Sequence, residues 1–150
     1  MKRIETAIDV AAPPELVWEA LTDFVSYPRW NPPVREIDGE ARLGAQLRLL
    51  VVAPDGNATR LVRLPARIVE LEPGRALAWV GGLAPIFRGR HGFRLSPTAR
   101  GTRLEHSEAM SGVFPLLYGP AYLARLTALY EAMNRGLAEQ ARLRSWRRAA

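Results

Sequence analysis

The chain lacks cysteine and contains only two histidines, His91 and His106. The absence of cysteine excludes disulfide bonds, thiol catalysis and cysteine-ligated zinc or iron–sulfur sites. Two histidines are too few for a three-histidine metal centre. The sequence therefore predicts that the protein uses no metal and no cofactor.

Long hydrophobic runs are also missing. No apolar segment approaches the roughly 18–20 residues that a membrane-spanning helix needs. Residues 1–10 lead directly into an alternating pattern, and no apolar signal segment stands before it. We therefore expect no membrane insertion and a cytoplasmic location.

Lysine is nearly absent, since 20 of the 21 basic residues are arginine. The net charge is +6, and residues 139–150 contribute +3 of it. Most of the other arginines alternate along predicted strands, which is typical of a solvated sheet face. A nucleic-acid-binding surface would instead cluster basic residues with aromatic ones. We expect no nucleic-acid partner.

The 150 residues, of which 48% are hydrophobic, fit one domain with an adequate core. Period-two alternation predicts half-buried strands. They lie at 3–10, 34–40, 46–53, 59–71 (bent near Pro65), 76–81, 87–96 and 102–111, with a hairpin turn at 54–57. A helix opens at Pro13-Pro14-Glu15, and a second short helix is predicted over 24–30.

The period changes to 3.6 residues near the C-terminus. An apolar stripe over residues 116–137 predicts an opening turn at 114–118 and a long helix from about 120 to 144. Residues 145–150 are expected to form a loose basic tail. The order of elements predicts an α+β fold, in which a curved antiparallel sheet of about seven strands wraps around the long helix. A cavity of a few hundred Å3 is expected between them.

Three motifs carry a family resemblance. Tyr27-Pro28-Arg29-Trp30-Asn31-Pro32 follows the first helices, and the last two strands contain the segments 89–95 and 101–108. The whole chain resembles the SRPBCC superfamily, with its START-like or helix-grip fold, and within it the bacterial polyketide cyclase/dehydrase-like proteins. The resemblance implies an apolar ligand cavity between sheet and helix. It does not fix a reaction, because one fold carries many functions.

A polar cluster is predicted on the helix-facing side of the sheet. Matching the apolar faces of the last two strands leaves two registers open. One sets His91 opposite His106, and the other sets His91 opposite Glu108. Opposed Cβ atoms lie about 4.5–5.5 Å apart, so either register brings the three side chains together.

Three interpretations of this cluster stay open. It could be a satisfied buried network, because unpaired buried charge is costly. It could orient a ligand in a mostly apolar pocket. It could also perform acid–base catalysis, with Glu108 polarising a histidine, so His91, His106 and Glu108 are the catalytic candidates.

The function predicted is binding of a hydrophobic small molecule, such as a lipid, a polyketide-like or an aromatic compound. The alternatives are a cyclase/dehydratase-type enzyme using a His/Glu pair, and a protein-interaction module. The protein is expected to be a monomer or homodimer. The predicted ligand-binding residues are Trp79, Phe87, His91, Phe93, Leu104, His106, Glu108, Met110, Leu126, Tyr130 and Met133.

Overall fold

A curved sheet of seven antiparallel strands forms one side of the molecule in the computed structural model, which describes residues 1–53 and 59–149. The spatial order is β1-β7-β6-β5-β4-β3-β2. The predicted turn at 54–57 lies outside the described residues. The strands are β1 (Lys2–Val10), β2 (Val34–Asp38), β3 (Gln46–Val52), β4 (Leu61–Glu72), β5 (Ala76–Leu83), β6 (Phe87–Thr98) and β7 (Gly101–Ser111).

Four helical segments cover the concave face of this sheet or connect its strands. They are α1 (Pro14–Thr22), a 3₁₀ helix (Phe24–Arg29), α2 (Val113–Leu116) and α3 (Pro120–Ala149). The arrangement is the helix-grip fold that the sequence predicts. Within the two described ranges, none of the helices has the length and apolar character needed to cross a membrane.

The aromatic motif at 27–32 packs the start of the chain against the sheet. Tyr27 is fully buried and donates its hydroxyl hydrogen to the carbonyl of Leu21 at 2.7 Å. Its ring lies 4.5 Å from that of Trp30. Gly136 of α3 approaches the carbonyl of Trp30 so closely that a Cβ atom at this position would overlap it. This contact helps to fix where the C-terminal half of α3 crosses the sheet.

The C-terminal boundary of α3 differs from the prediction. The helix continues to Ala149, so residues 145–149 are helical and do not form a loose tail. Arg144 is 2.5 Å from Asp23, and Arg148, one turn later, pairs with Glu19 of α1. These two pairs connect successive turns of α3 to α1 and to Asp23, the residue that ends α1.

The distortion of β4 also lies elsewhere than predicted. The ladder stays regular through Pro65, which is opposite Arg48 of β3. The register shifts between Ile68 and Glu70, where β4 pairs with β5. A bulge increases local twist and bends a strand, and the irregularity of β4 lies at Ile68–Glu70 and not at the proline.

The concave face is tightly packed at one end and open at the other. Leu47, Ala66 and Ile68 are buried, with 3% exposure or less. Farther along the same strand pair, Val51 and Leu64 share their face but are only half-buried. The asymmetry continues in α3, in which no residue before Met133 is fully buried. The N-terminal half of α3 therefore covers the sheet loosely.

Candidate functional site

Strand register places the three candidate polar residues side by side on the concave face. The structure adopts the second of the two predicted registers, with His91 opposite Glu108 and Phe93 opposite His106. All three polar residues are buried, at 8% exposure for His91, 1% for His106 and 6% for Glu108. Alternation along β6 and β7 is sufficient to bring them together.

Hydrogen bonds connect these side chains in a row. His91 Nδ1 lies 2.6 Å from Glu108 Oε2, and His91 Nε2 lies 2.8 Å from His106 Nε2. The His91–Glu108 distance is slightly below the usual range of about 2.7–2.9 Å for this type of charge-assisted hydrogen bond. We refer to His91, His106 and Glu108, with the α3 residues Tyr130 and Asn134 that bond to them, as the polar cluster.

Helix α3 supplies both further members of the polar cluster. Tyr130 donates its hydroxyl hydrogen to Glu108 Oε2 at 3.0 Å. Asn134, one turn later, places its Oδ1 at 2.7 Å from His106 Nδ1 and donates from Nδ2 to Thr6 Oγ1 at 2.9 Å. Residues four apart lie on one helix face, so α3 can reach both ends of the row.

Aromatic rings enclose the histidines. Trp79 stacks on His91 with centroids 4.9 Å apart and planes 8° apart. His106 lies between Phe93 at 4.4 Å and Tyr130 at 4.7 Å, and both pairs are stacked. The rings fix the imidazole orientations and exclude water from the hydrogen bonds.

This burial changes the acid–base behaviour of two groups. Desolvation and the nearby His91 lower the pKa of His106 well below its ordinary value of 6.5, so His106 is neutral at pH 7. Burial and Glu108 raise the pKa of Tyr130 well above its ordinary value of 10.0, so its phenol stays protonated. Tyr130 is therefore a donor in the polar cluster, and neutral His106 carries one ring proton.

Gly89 makes room for the Glu108 carboxylate. A Cβ atom built on Gly89 would overlap Glu108 Oε1 and would lie 3.1 Å from the ring of Phe87. The missing side chain therefore leaves the space that the second carboxylate oxygen occupies. Any larger residue at position 89 would push Glu108 away from His91.

The structure brings only part of the predicted ligand-binding set together. Trp79, His91, Phe93, His106 and Tyr130 form one group of ring contacts. Five other predicted residues take no part in these ring contacts and differ in burial. Met110 and Met133 are buried, Phe87 and Leu126 are half-buried, and Leu104 is fully buried within the hydrophobic core.

Two hollows among the described residues lie away from the predicted position of the cavity. One hollow, of about 360 Å3, is beside Pro13 and Pro97, and the other, of about 430 Å3, is on the outer face of the sheet between Arg90 and Glu105. Neither lies between the sheet and α3. There, Tyr130 reaches across the concave face to Glu108. On the same face, Val51 and Leu64 at the loosely packed end stay half-buried.

Four residues near this site were missed by the sequence analysis. Thr6 and Asn134 complete the row of hydrogen bonds. The rings of Tyr118 and Tyr122 lie 4.3 Å apart in a tilted arrangement, and burial, with a smaller contribution from Glu108, raises the pKa of Tyr118. Asn134 follows Tyr130 by four positions, and this spacing is the signal that could have identified it.

Comparisons with known proteins agree with this architecture. Residues 1–142 match the family described as polyketide cyclase/dehydrase and lipid transport. No curated protein matches the chain. Among solved structures, the di-domain ARO/CYC StfQ from the steffimycin biosynthetic pathway superposes with a TM-score of 0.74 at 19% identity, over 95% of this chain and 51% of StfQ. The chain thus spans about half the length of that protein.

Two further solved structures match over nearly their whole length. A Chromobacterium violaceum protein has a TM-score of 0.72 at 20% identity, over 93% of this chain and 96% of its own. A Thermus thermophilus protein has a TM-score of 0.73 at 19% identity, over 96% of this chain and 99% of its own. At these identities the structures establish a shared fold. The family match over residues 1–142 goes further, and the chain belongs to the polyketide cyclase/dehydrase and lipid transport family.

Proposed function

We propose that the protein binds a hydrophobic small molecule bearing oxygen groups in the groove between the sheet and the N-terminal half of α3. The observation that carries the proposal is the uneven packing of the concave face. Leu47 and Ile68 are buried at one end of the β3–β4 pair, whereas Val51 and Leu64 stay half-buried at the other end. Leu126 of α3 is half-buried as well. Apolar surface left half-covered beside buried polar groups is typical of small-molecule sites.

The polar cluster lies on the helix-facing side of β6 and β7. Tyr130 and Glu108 are the members best placed to contact a ligand. Tyr130 is half-buried, and Glu108 Oε1 takes no part in the bonds to His91 and Tyr130, both of which use Oε2. A ligand hydroxyl could donate to Oε1, while its carbon framework displaces water from the half-buried leucines. The ARO/CYC relative supports an aromatic or polyketide-like framework.

A fluorescence titration with the neutral apolar dye N-phenyl-1-naphthylamine tests this proposal. Wild-type protein should bind the dye saturably. Leu126→Arg places a charge in the groove and should weaken binding at least about tenfold, because burying an uncompensated charge is costly. Ala128→Arg adds the same charge at an exposed position of α3 and serves as the matched control. Absence of saturable binding by the wild type, or equal weakening by both variants, would contradict the proposal.

Acid–base catalysis of cyclisation is the second candidate, favoured by the 2.6 Å contact between His91 and Glu108. An intramolecular aldol closure moves a proton from a carbon beside one carbonyl and forms a bond from that carbon to a second carbonyl carbon. Loss of water then needs a proton delivered to the departing hydroxyl. The pair could pass the first proton to the alkoxide oxygen formed by ring closure. It could then take a second proton from the same carbon and deliver it to the departing hydroxyl, so no further reactant is required.

Turnover separates the two candidates. With a linear poly-β-ketone analogue as substrate, Glu108→Gln should cut the rate of ring closure about 100-fold or more and leave dye affinity unchanged. Equal rates of ring closure in buffer alone, with wild type and with the variant would rule out enzymatic cyclisation and leave ligand binding as the proposed function.

A further inference from the structure

The hydrogen bonds of the polar cluster have a direction that begins at Thr6. Thr6 donates its single hydroxyl hydrogen to the carbonyl of His106 at 3.3 Å. Its oxygen can then only accept from Asn134, whose Nδ2 lies 2.9 Å away. The orientation of the Asn134 amide follows, with Oδ1 turned toward His106.

Each later bond is constrained by the one before it. Asn134 Oδ1 can only accept, so His106 Nδ1 carries the hydrogen in their 2.7 Å contact. Neutral His106 then has a lone pair on Nε2. The 2.8 Å contact between the two Nε2 atoms needs one hydrogen, and it must belong to His91. One proton is left for the contact between His91 Nδ1 and Glu108 Oε2.

We propose that Asn134 is a positioning residue, oriented by Thr6, that fixes the tautomers of both histidines and leaves one transferable proton shared by His91 and Glu108. The His91–Glu108 pair forms the end of the row nearest the proposed ligand site. This pair can then donate or accept a proton while the other hydrogens of the polar cluster keep their positions. Tyr130 donates to the same carboxylate oxygen at 3.0 Å, and its hydroxyl oxygen lies 3.5 Å from His91 Nδ1, so Glu108 Oε2 at 2.6 Å is the nearer acceptor for the His91 proton. The inference deepens the proposed function, because it concerns the same site.

Histidine ring ¹⁵N NMR on the ligand-free protein tests the proton pattern directly. The chain has two histidines, so the spectrum contains four ring nitrogens. The expected wild-type pattern has hydrogen on His106 Nδ1 and on His91 Nε2, with none on His106 Nε2. A wild-type spectrum with hydrogen on His106 Nε2 would overturn the proposal.

Thr6→Val tests the control by Asn134 with little risk to folding. Valine has nearly the shape of threonine and is well suited to a strand. Without the hydroxyl oxygen, the amide is free to rotate and donate to His106. The preference for the Nδ1–H tautomer should fall from at least about tenfold to near parity or below, because the hydrogen bond that orients the amide is gone. An unchanged tautomer in Thr6→Val would refute the positioning role.

Three further variants complete the experiment. Thr6→Ser keeps the hydroxyl and should restore the wild-type pattern. Ser107→Ala removes a hydroxyl that contacts the Gly92 carbonyl away from the polar cluster, and it should change nothing. Asn134→Asp keeps an acceptor toward His106, so Nδ1 should stay protonated. Loss of the Nδ1 hydrogen in Thr6→Ser or Asn134→Asp, or a changed pattern in Ser107→Ala, would contradict the assignment. Dye binding is scored separately, so failure of the proposed function leaves the tautomer result intact.

Discussion

Replacing Glu108 by glutamine removes charge from the polar cluster while preserving its shape. The glutamine oxygen can still accept from Tyr130, and its amide can donate to His91 Nδ1. The network is rebuilt, but both bonds, at 2.6 Å and 3.0 Å in the wild type, become bonds between neutral groups. The cost of the substitution therefore measures what the charge contributes.

The magnitude follows from the two bonds. A hydrogen bond to a charged group contributes about 1.5–3 kcal/mol, and a neutral one about 0.5–1.5 kcal/mol. Two such changes amount to about 2 kcal/mol, partly offset because a carboxylate no longer has to be desolvated. We expect Glu108→Gln to lower the free energy of unfolding by about 1–2 kcal/mol. For a chain of this size that is a decrease in Tm of about 2–8 °C.

Urea and thermal unfolding of wild type, Glu108→Gln and Glu108→Ala provide the measurement. Alanine leaves His91 and Tyr130 without their shared partner, so it should cost about 3–5 kcal/mol. The expected order of stability is wild type first, then Glu108→Gln, then Glu108→Ala. If glutamine is as damaging as alanine, the network does not rebuild; if neither variant loses stability, the contacts of Glu108 contribute nothing to folding.

Three shorter predictions concern other parts of the molecule. Because the folded-state pKa of His106 lies below 6.5, stability should fall as pH drops below that value, by up to about 1.4 kcal/mol per pH unit; unfolding of His106→Gln at several pH values should show a flatter slope. Deleting 147–150 removes the exposed ion pair of Arg148 and should cost no more than about 1 kcal/mol, and a loss of several kcal/mol would show a larger structural role. Gly136→Ala should destabilise by about 1–3 kcal/mol, despite the better helix propensity of alanine, because its Cβ meets the Trp30 carbonyl; a rise in Tm would contradict this.

The fold was predictable because its patterns are local. Alternation identified the strands, and the change of period at the C-terminus identified α3. The inward face shared by His91, His106 and Glu108 also followed from alternation. The choice between the two registers did not, because both keep the apolar faces matched. The connection between β6 and β7 decides it, by pairing Thr98 with Gly101.

The contacts that complete the site depend on how α3 sits on the sheet. Asn134 meets Thr6 across 128 residues of sequence, and although its spacing from Tyr130 places Asn134 on the same helix face, that spacing does not encode the contact with Thr6. The sequence predicts a solvated tail at Arg148 because its partner, Glu19, lies 129 positions earlier in the chain. The prediction of a cavity also depended on how closely α3 approaches the sheet. The inward residues were identified, but the reach of Tyr130 across the concave face was not.

The charge state of the polar cluster bears on which ligands the groove would accept. A His91–Glu108 pair that shares one proton has no net charge, and neutral His106 and protonated Tyr130 add none. Burying such a set avoids the large desolvation penalty of an isolated ion. It also means that no countercharge is required from a ligand. A charged ligand would have to be desolvated without compensation, whereas an uncharged molecule with hydroxyl or carbonyl oxygens could exchange hydrogen bonds with Glu108 and Tyr130. If the protein binds a ligand here as proposed, we therefore expect the site to favour neutral, oxygen-bearing hydrophobic compounds over fatty acids or organic cations.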